Sequence, residues 1–353
     1  MFPRIEIDLN KLKSNTERMV KLCRENCIEI AGVTKVFCAY PPAAQAMIDG
    51  GIRLLADSRI ENLKKLQELP VKKLLLRLPM PSQAEDVVRY ADISLNSELS
   101  TLRLLGKAAG QGKPHEVILM VDVGDLREGI WPDDVDSFVR EAVEISGISI
   151  KGFGTNLTCY GGIIPDEGNL GRLVKIAREM EGKYNLDLEY ISGGNSSSLY
   201  LLDQRRMPNG INNLRLGESI VLGRETAFGE QLEGLFGDVF IIKAEIVELK
   251  EKPSYPIGNI GMDAFGKKPE FEDRGIIKRA IVAIGRQDVD PDGLKAIDEN
   301  IFILGGSSDH TIVDLSNSLI KYQVGDIVSF KVDYGCLLKA MTSPYVEKVI
   351  KGI

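Results

Sequence analysis

Lys35 follows the apolar run Ile30-Ala31-Gly32-Val33-Thr34, so an amine stands where a buried strand would open into a loop. Partial desolvation there lowers an amine's pKa and makes it nucleophilic, the condition for Schiff-base chemistry. A solvated strand-end charge is the plainer alternative. Ser192-Gly193-Gly194-Asn195-Ser196-Ser197-Ser198 follows a second apolar run, 188–191, and opens a helical pattern. Glycines permit close backbone approach, hydroxyls donate and a helix start favours an anion, so the segment could cradle a phosphate; a helix cap in a polar turn is the alternative. One strand later, Leu214-Arg215-Leu216-Gly217-Glu218 places a glycine turn behind an arginine. Gly305-Gly306-Ser307-Ser308-Asp309-His310 is the most polar constellation near the C-terminus, although a β-turn alone would use the same residues. The five cysteines form no CxxC pair and the two histidines are far apart. That leaves no basis for a zinc site or a Ser-His-Asp enzyme. Acid–base chemistry then falls to Lys, Tyr, Asp or a cofactor.

The elements that must position these residues alternate. Strand candidates at 29–33, 54–56, 73–78, 93–95, 116–123, 148–155, 188–192 and 213–216 are separated by helical patterns at 43–49, 59–69, 82–90, 97–109, 133–146, 169–184 and 198–205. The strand runs are mostly continuous rather than alternating, as expected when both faces of a sheet are covered. About eight β–α steps predict an α/β fold built on a (β/α)8 barrel, with a doubly wound sheet as runner-up. After Gly223 strand-like runs at 239–247, 279–284, 301–304 and 326–332 are separated by Gly, Pro and Asp turns. The expected organisation is a barrel over 10–230 and a mostly-β domain over 231–353, joined by an N-terminal strand within 1–9.

Apolar residues make up 44% of the 353 residues and charged residues 27%, with a net charge of −7. That balance is ordinary for a soluble protein and argues against general affinity for nucleic acid or anionic membrane. The odd, scattered cysteine count suits reduced thiols, and the N-terminus lacks the pattern of a signal peptide, so a cytoplasmic protein is expected.

Taken together, Lys35 after the first barrel strand, a Ser/Gly loop on the seventh and Arg-x-Gly on the eighth, followed by a β domain, resemble the alanine racemase family. These are fold-type III enzymes that use pyridoxal 5′-phosphate. Ile5-Glu6-Ile7-Asp8-Leu9 with Asn15 is similar to the family's opening strand and helix, and the resemblance spans essentially the whole chain. It is nearest to the branch of predicted amino-acid racemases that includes ornithine racemase. The resemblance implies that Lys35 is the Schiff-base lysine and one of two bases, and that Arg215 faces the pyridine nitrogen. Ser196, Ser197, Gly217 and Glu218 would bind phosphate. Asn156 falls where the family stacks a histidine on the ring. Val121-Asp122-Val123-Gly124-Asp125-Leu126-Arg127-Glu128-Gly129 resembles the family's Asp-Thr-Gly-Met-x-Arg-x-Gly stretch and implies that Arg127 meets the substrate carboxylate; a surface turn arginine is the alternative. Ser308 and Asp309 match the segment that meets the substrate, and Asp309 is expected to select a cationic side chain. A head-to-tail homodimer is implied as well.

Four departures stand out. Met120 replaces a lysine that is often carbamylated, so Arg127 must be held some other way. Ala39 replaces a phosphate-binding tyrosine, with Tyr40 next door. Ser343 or Tyr345 would have to serve for another. The second catalytic base, a tyrosine in the family, aligns with Arg286 of Ile284-Gly285-Arg286-Gln287-Asp288. Racemisation still needs a proton donor opposite Lys35; His310 is the first candidate, with Asp309, Ser308, Asp288 and Tyr255 as others. The expected activity is racemisation of a basic amino acid such as ornithine. A cofactor-carrying protein without turnover lacks the second domain, and a diamino-acid decarboxylase places a carboxylate where Arg215 stands.

Overall fold

A computed structural model describes residues 1–266 and 268–351. Strand β1 (Arg4–Ile7) is followed by eight short strands, each leading into helix: β2 (Glu29–Val33), β3 (Leu54–Asp57), β4 (Lys72–Leu75), β5 (Ile93–Asn96), β6 (His115–Met120), β7 (Ile148–Gly154), β8 (Tyr190–Ser192) and β9 (Asn213–Leu216). They pair in parallel in chain order, and β9 closes on β2 as a barrel. The continuous apolar runs have a simple cause. Alternate residues Ala31, Val33, Leu54, Ala56, Leu74, Ile93, Leu95, Ile118 and Met120 fill one core cluster, the barrel lining. Leu75 belongs instead to a second cluster with Ile60, Leu63, Ala84, Val87, Ala91 and Leu105, between strand and helices. Each fully buried Leu or Ile contributes roughly 1.5–3 kcal/mol, so both faces must be apolar. The helix expected over 59–69 is shorter, Ile60–Lys65, and gives way to turns over 66–68 ahead of Pro70.

The chain divides into two compact units, residues 10–236 and residues 1–9 with 237–353. The break falls at 236 rather than 230 because the intervening segment is tied to the barrel unit. Glu225, buried, accepts backbone N–H groups of Ala227, Phe228 and Glu230. Asn15 accepts from the Phe236 N–H at 2.8 Å and donates to the carbonyls of Ile220 and Phe236.

The second unit is a sheet of β10 (Phe240–Pro253), β11 (Ile276–Val282), β12 (Leu294–Ala296), β13 (Phe302–Gly306), β14 (Thr311–Asp314), β15 (Ile327–Val332) and β16 (Glu347–Ile350). Its order is β12-β15-β10-β11-β14-β13, and β1 joins antiparallel to β10 and parallel to β16. Sequence patterning misses β12, β14, β16 and the helix Tyr334–Thr342. The strands are three or four residues long, too short to show a period. The helix is announced only by Asp333, whose side chain accepts the Cys336 N–H at 2.7 Å. No helix among the described residues is long and apolar enough to cross a membrane.

His115 opens β6 and is buried, with Nε2 2.8 Å from Ser94 Oγ. Burial pushes its imidazole down to about 4. The unfolded chain takes up that proton near pH 6.5 and the folded chain only near 4, so stability is lost as pH falls through this window, by about 3 kcal/mol in full. The urea midpoint is expected to fall more steeply between pH 7 and 4.5 for the natural chain than for His115→Asn. Parallel curves would refute this account.

Candidate active site

β2 runs into Thr34 and the single 3-10 turn Lys35–Phe37. Val36 and Phe37 are buried beneath the turn and Lys35 is half-buried. The next two residues, Cys38 and Ala39, both take left-handed backbone with φ of 54° and 49°, which costs a non-glycine residue about 1–2 kcal/mol. Tyr40 stands just before the helix Pro41–Asp49 and is half-buried.

On the opposite side of the β2 seam, Arg215 is the register partner of Ala31, a lining residue, so its side chain lies on the barrel's inner face. It is 4% exposed. One guanidinium nitrogen donates to Ser192 Oγ at 2.5 Å; the other donates to the Thr155 carbonyl at 2.7 Å and to Asn156 Oδ1 at 3.3 Å. All three acceptors are neutral. Burial pushes Arg215 down to about 10, against the opposing pull of Glu128 and Cys159, which leaves it cationic at neutral pH. A desolvated cation supported only by dipoles has an electrostatic vacancy for an electron-rich neighbour.

Ser196 and Ser197 lie in the 3-10 turn Ser196–Ser198 after β8. The Ser197 N–H is capped by the Asn195 side chain at 2.8 Å, and Ser196 Oγ meets Ser219 Oγ at 3.1 Å and the Ser219 N–H at 3.2 Å. The loop after β8 therefore touches the helix Glu218–Leu222 after β9, which Gly217 precedes. Glu218 is half-buried and pairs with Arg224 at 2.7 Å. Among the described residues, six buried side-chain polar atoms lack a partner, and Thr155 Oγ1, Asn156 Nδ2 and Ser197 Oγ are three of them. Orphans of this kind are rare in folded proteins. Their concentration around Arg215 and the serine turn is what a polar, anionic aromatic cofactor would satisfy.

The stretch after β6 is organised by two aspartates. Asp122 accepts the N–H groups of Gly124 and Leu126, and Gly129 is required opposite it, since its φ is 139° and a Cβ would come within 2.3 Å of the Asp122 nitrogen. Asp125, buried, accepts the N–H groups of Thr158 and Tyr160 at 3.0 Å and of Ile163 at 3.2 Å. It thereby ties this loop to the one after β7 and holds Thr158 at φ 70°. Arg127 is exposed, and its guanidinium is held by the neighbouring Glu128 carboxylate. Met120 is fully buried in the lining, 3.2 Å from where a Gly154 Cβ would stand. Where the family often has a modified lysine, this chain has apolar filler, and Glu128 does the holding.

The remaining predicted residues belong to the β unit. Ser308, Asp309 and His310 lie in the four-residue turn between β13 and β14 and are exposed, with Ser308 Oγ donating to Asp309 at 2.5 Å. This turn is stitched to the segment where the family carries its tyrosine: Arg286 N–H donates to Ser307 O at 2.8 Å and Gln287 N–H to Ser308 O at 3.0 Å. Gly285 permits the approach, because a Cβ there would lie 2.4 Å from the His310 nitrogen. The Arg286 side chain donates to the Gly306 carbonyl and to Asp290 at 2.9 Å, so it braces the turn. Ser343 is buried and its hydroxyl donates to Asp288 at 2.6 Å. Tyr345 and Tyr255 are exposed, Tyr255 edge-on to Phe271.

Sequence reading gave no part to Asp125, Thr155 and Ser219, and took Ser192 and Asn195 only as members of the 192–198 loop. For Asp125 a signal was present, a second acid inside a glycine-bounded turn. For the others only their neighbours in space reveal the role.

A family model for the alanine racemase N-terminal domain matches residues 7–225. The chain belongs to the alanine racemase family. Along 350 residues it is 54% identical to the ornithine racemase of Acetoanaerobium sticklandii, covering 99% of each chain. It is 41% identical to the lysine racemase of Thermotoga maritima over 352 residues, 99% of this chain and 98% of the relative. Among solved structures, the alanine racemase from D-cycloserine-producing Streptomyces lavendulae superposes with a TM-score of 0.75 at 16% identity, covering 100% of this chain and 98% of that one; this likeness shows the shared fold.

Proposed function

We propose that this chain is a pyridoxal phosphate-dependent racemase interconverting the L and D forms of a basic amino acid, ornithine first and lysine second. The observation that carries the reading is Arg215, a buried cation bonded only to neutral oxygens and surrounded by unpartnered buried donors. Full-length identity to an ornithine and a lysine racemase supports the substrate class.

Pyridoxal phosphate, when bound, makes the α-proton of an amino acid acidic enough to remove. The chain's own residues would do the rest. Lys35 would hold the cofactor covalently and would move the proton on one face. Ser197 Oγ, Ser196 and the N–H groups of Gly217 and Glu218 would hold the phosphate, with Tyr40 beside them, and Asn156 would lie against the ring. Arg215, as a fixed cation, would oppose protonation of the cofactor's ring nitrogen; that would weaken the ring as an electron sink and favour racemisation over decarboxylation. Arg127, steadied by Glu128, would take the substrate carboxylate. Asp309, with Ser308, would take the distal ammonium, and His310 would return the proton on the other face. Arg286 cannot take that part, being cationic and engaged with Asp290.

We extend the reading to a head-to-tail homodimer, as the family resemblance implies. The five free cysteines fit a reducing compartment, so we place the enzyme in the cytoplasm.

The test is incubation of purified protein with L-ornithine, L-lysine and L-alanine, following optical rotation and CO2 release. Rotation decaying to zero without CO2 is expected, fastest for ornithine. Stoichiometric CO2, or bound cofactor without turnover, would defeat the reading. Asp309→Ala is expected to lower kcat/KM for ornithine and lysine about 100-fold, the worth of a charge-assisted contact of about 3 kcal/mol, while alanine changes less than about threefold. Equal losses on all three would remove Asp309 from substrate selection.

A further inference from the structure

Thr34 and Cys38 flank the Lys35 turn, and both are held by one polar chain that begins at a buried carboxylate. Asp57, at the end of β3, is fully buried. Its Oδ2 accepts from Thr34 Oγ1 at 2.7 Å; its Oδ1 accepts from the Arg59 N–H at 3.0 Å and from Asn62 Nδ2 at 3.0 Å. With its amide nitrogen fixed on Asp57, Asn62 presents Oδ1 to the Lys65 ammonium at 2.9 Å and to Cys38 Sγ at 3.6 Å. Lys65 also donates to the Cys38 carbonyl at 2.9 Å. The chain Thr34–Asp57–Asn62–Lys65–Cys38 thus grips the backbone one residue before Lys35 and three residues after it. The gripped segment includes the two consecutive left-handed residues Cys38 and Ala39. Such backbone persists only where its surroundings over-determine it, and it gathers at functional sites.

We propose that Asp57 is a positioning residue for Lys35, acting through Thr34 and Asn62 without touching substrate. This rests on the reading of Lys35 as the reacting amine. A lysine that must both hold the cofactor and reach the α-proton needs its Cα fixed, since a displacement near 1 Å costs on the order of 100-fold in rate. Substrate binding, which uses other groups, needs no such restraint.

The experiment compares Asp57→Ala, Asp57→Asn and Asn62→Ala in the full-length, cofactor-loaded enzyme, using ornithine kinetics and amide hydrogen exchange. Asp57→Ala is expected to lower kcat about 30- to 100-fold with KM within about threefold. Exchange at Val36–Tyr40 should accelerate at least about tenfold, while Ile118 and Leu119 in the barrel wall stay unchanged. Asp57→Asn keeps a carbonyl for Arg59 and Asn62, and Thr34 can turn its hydroxyl to the Ala56 carbonyl, already 3.3 Å away; it should recover most of the rate. If Asp57→Ala does not fold, Asn62→Ala cuts the chain downstream without a buried cavity at the carboxylate and should give the same kcat loss and local exchange. An unchanged kcat with unchanged exchange, or acceleration spread over the barrel wall with kcat and KM moving together, would overturn the proposal. Exchange does not depend on turnover, so its failure is separable from that of Lys35 itself, which is read from the Lys35→Ala enzyme.

Discussion

Lys35→Ala is expected to lose racemase activity by more than about 10⁴-fold, the upper range for a single acid–base residue, since it also removes the cofactor's covalent attachment. The loss should appear in both directions and with every substrate, because no other lysine takes the position just beyond β2. The visible band of lysine-bound cofactor should vanish while the folded protein remains. Lys35 is half-buried at the end of a strand, and the turn around it is held through Thr34 and Cys38. The urea midpoint should therefore move little, by the equivalent of about 1 kcal/mol or less. Turnover surviving within about 100-fold would sink the assignment of Lys35, and with it the reading of the barrel site.

Arg215→Met is the second. Here catalysis and stability are expected to part company. The substitution removes three donated bonds, each worth about 1.5–3 kcal/mol where a charge is involved, but also removes a cation that burial has pushed down to about 10, a cost of a few kcal/mol. An unpaired buried charge replaced by an apolar chain of similar length is often neutral in stability. The urea midpoint is therefore expected to stay within the equivalent of about 2 kcal/mol. Activity should fall about 10²- to 10³-fold, the range for removing one preorganised electrostatic group, and CO2 should rise as a fraction of turnovers. A variant with full activity would show that the cation is structural. Severe unfolding would show that the bonds to Ser192 Oγ and the Thr155 carbonyl outweigh the buried charge.

Much of this was legible in the amino-acid order. The strands at 29–33 and 213–216 read directly, because runs covered on both faces must be apolar throughout. Lys35 and the serine turn stood out because each follows such a run, and Arg215 because it is a cation inside one; the alternation of strand and helix makes the ends of those runs converge at one rim. The β unit was legible only as a texture. Its three-residue and four-residue strands are shorter than any period can reveal, and the Tyr334–Thr342 helix has one capping aspartate to announce it.

What the order of residues could not supply was who meets whom across the chain. Arg127 reads as a substrate ligand, yet which carboxylate holds it depends on a turn closed by Asp122 and Gly129. Ser343 reads as a phosphate donor, and only the fold reveals that its hydroxyl donates to Asp288, remote in sequence. Asp57, one residue past the strand expected at 54–56, has no evident part until its oxygens are found on Thr34 and Asn62. By itself the sequence determined the barrel and marked Lys35 and Arg215 as its candidates, because burial and periodicity are local properties written along the chain. The tertiary structure alone decided which polar atoms are satisfied and which are left waiting, because a hydrogen bond requires two groups within about 3 Å, and only folding sets that distance between residues far apart in sequence.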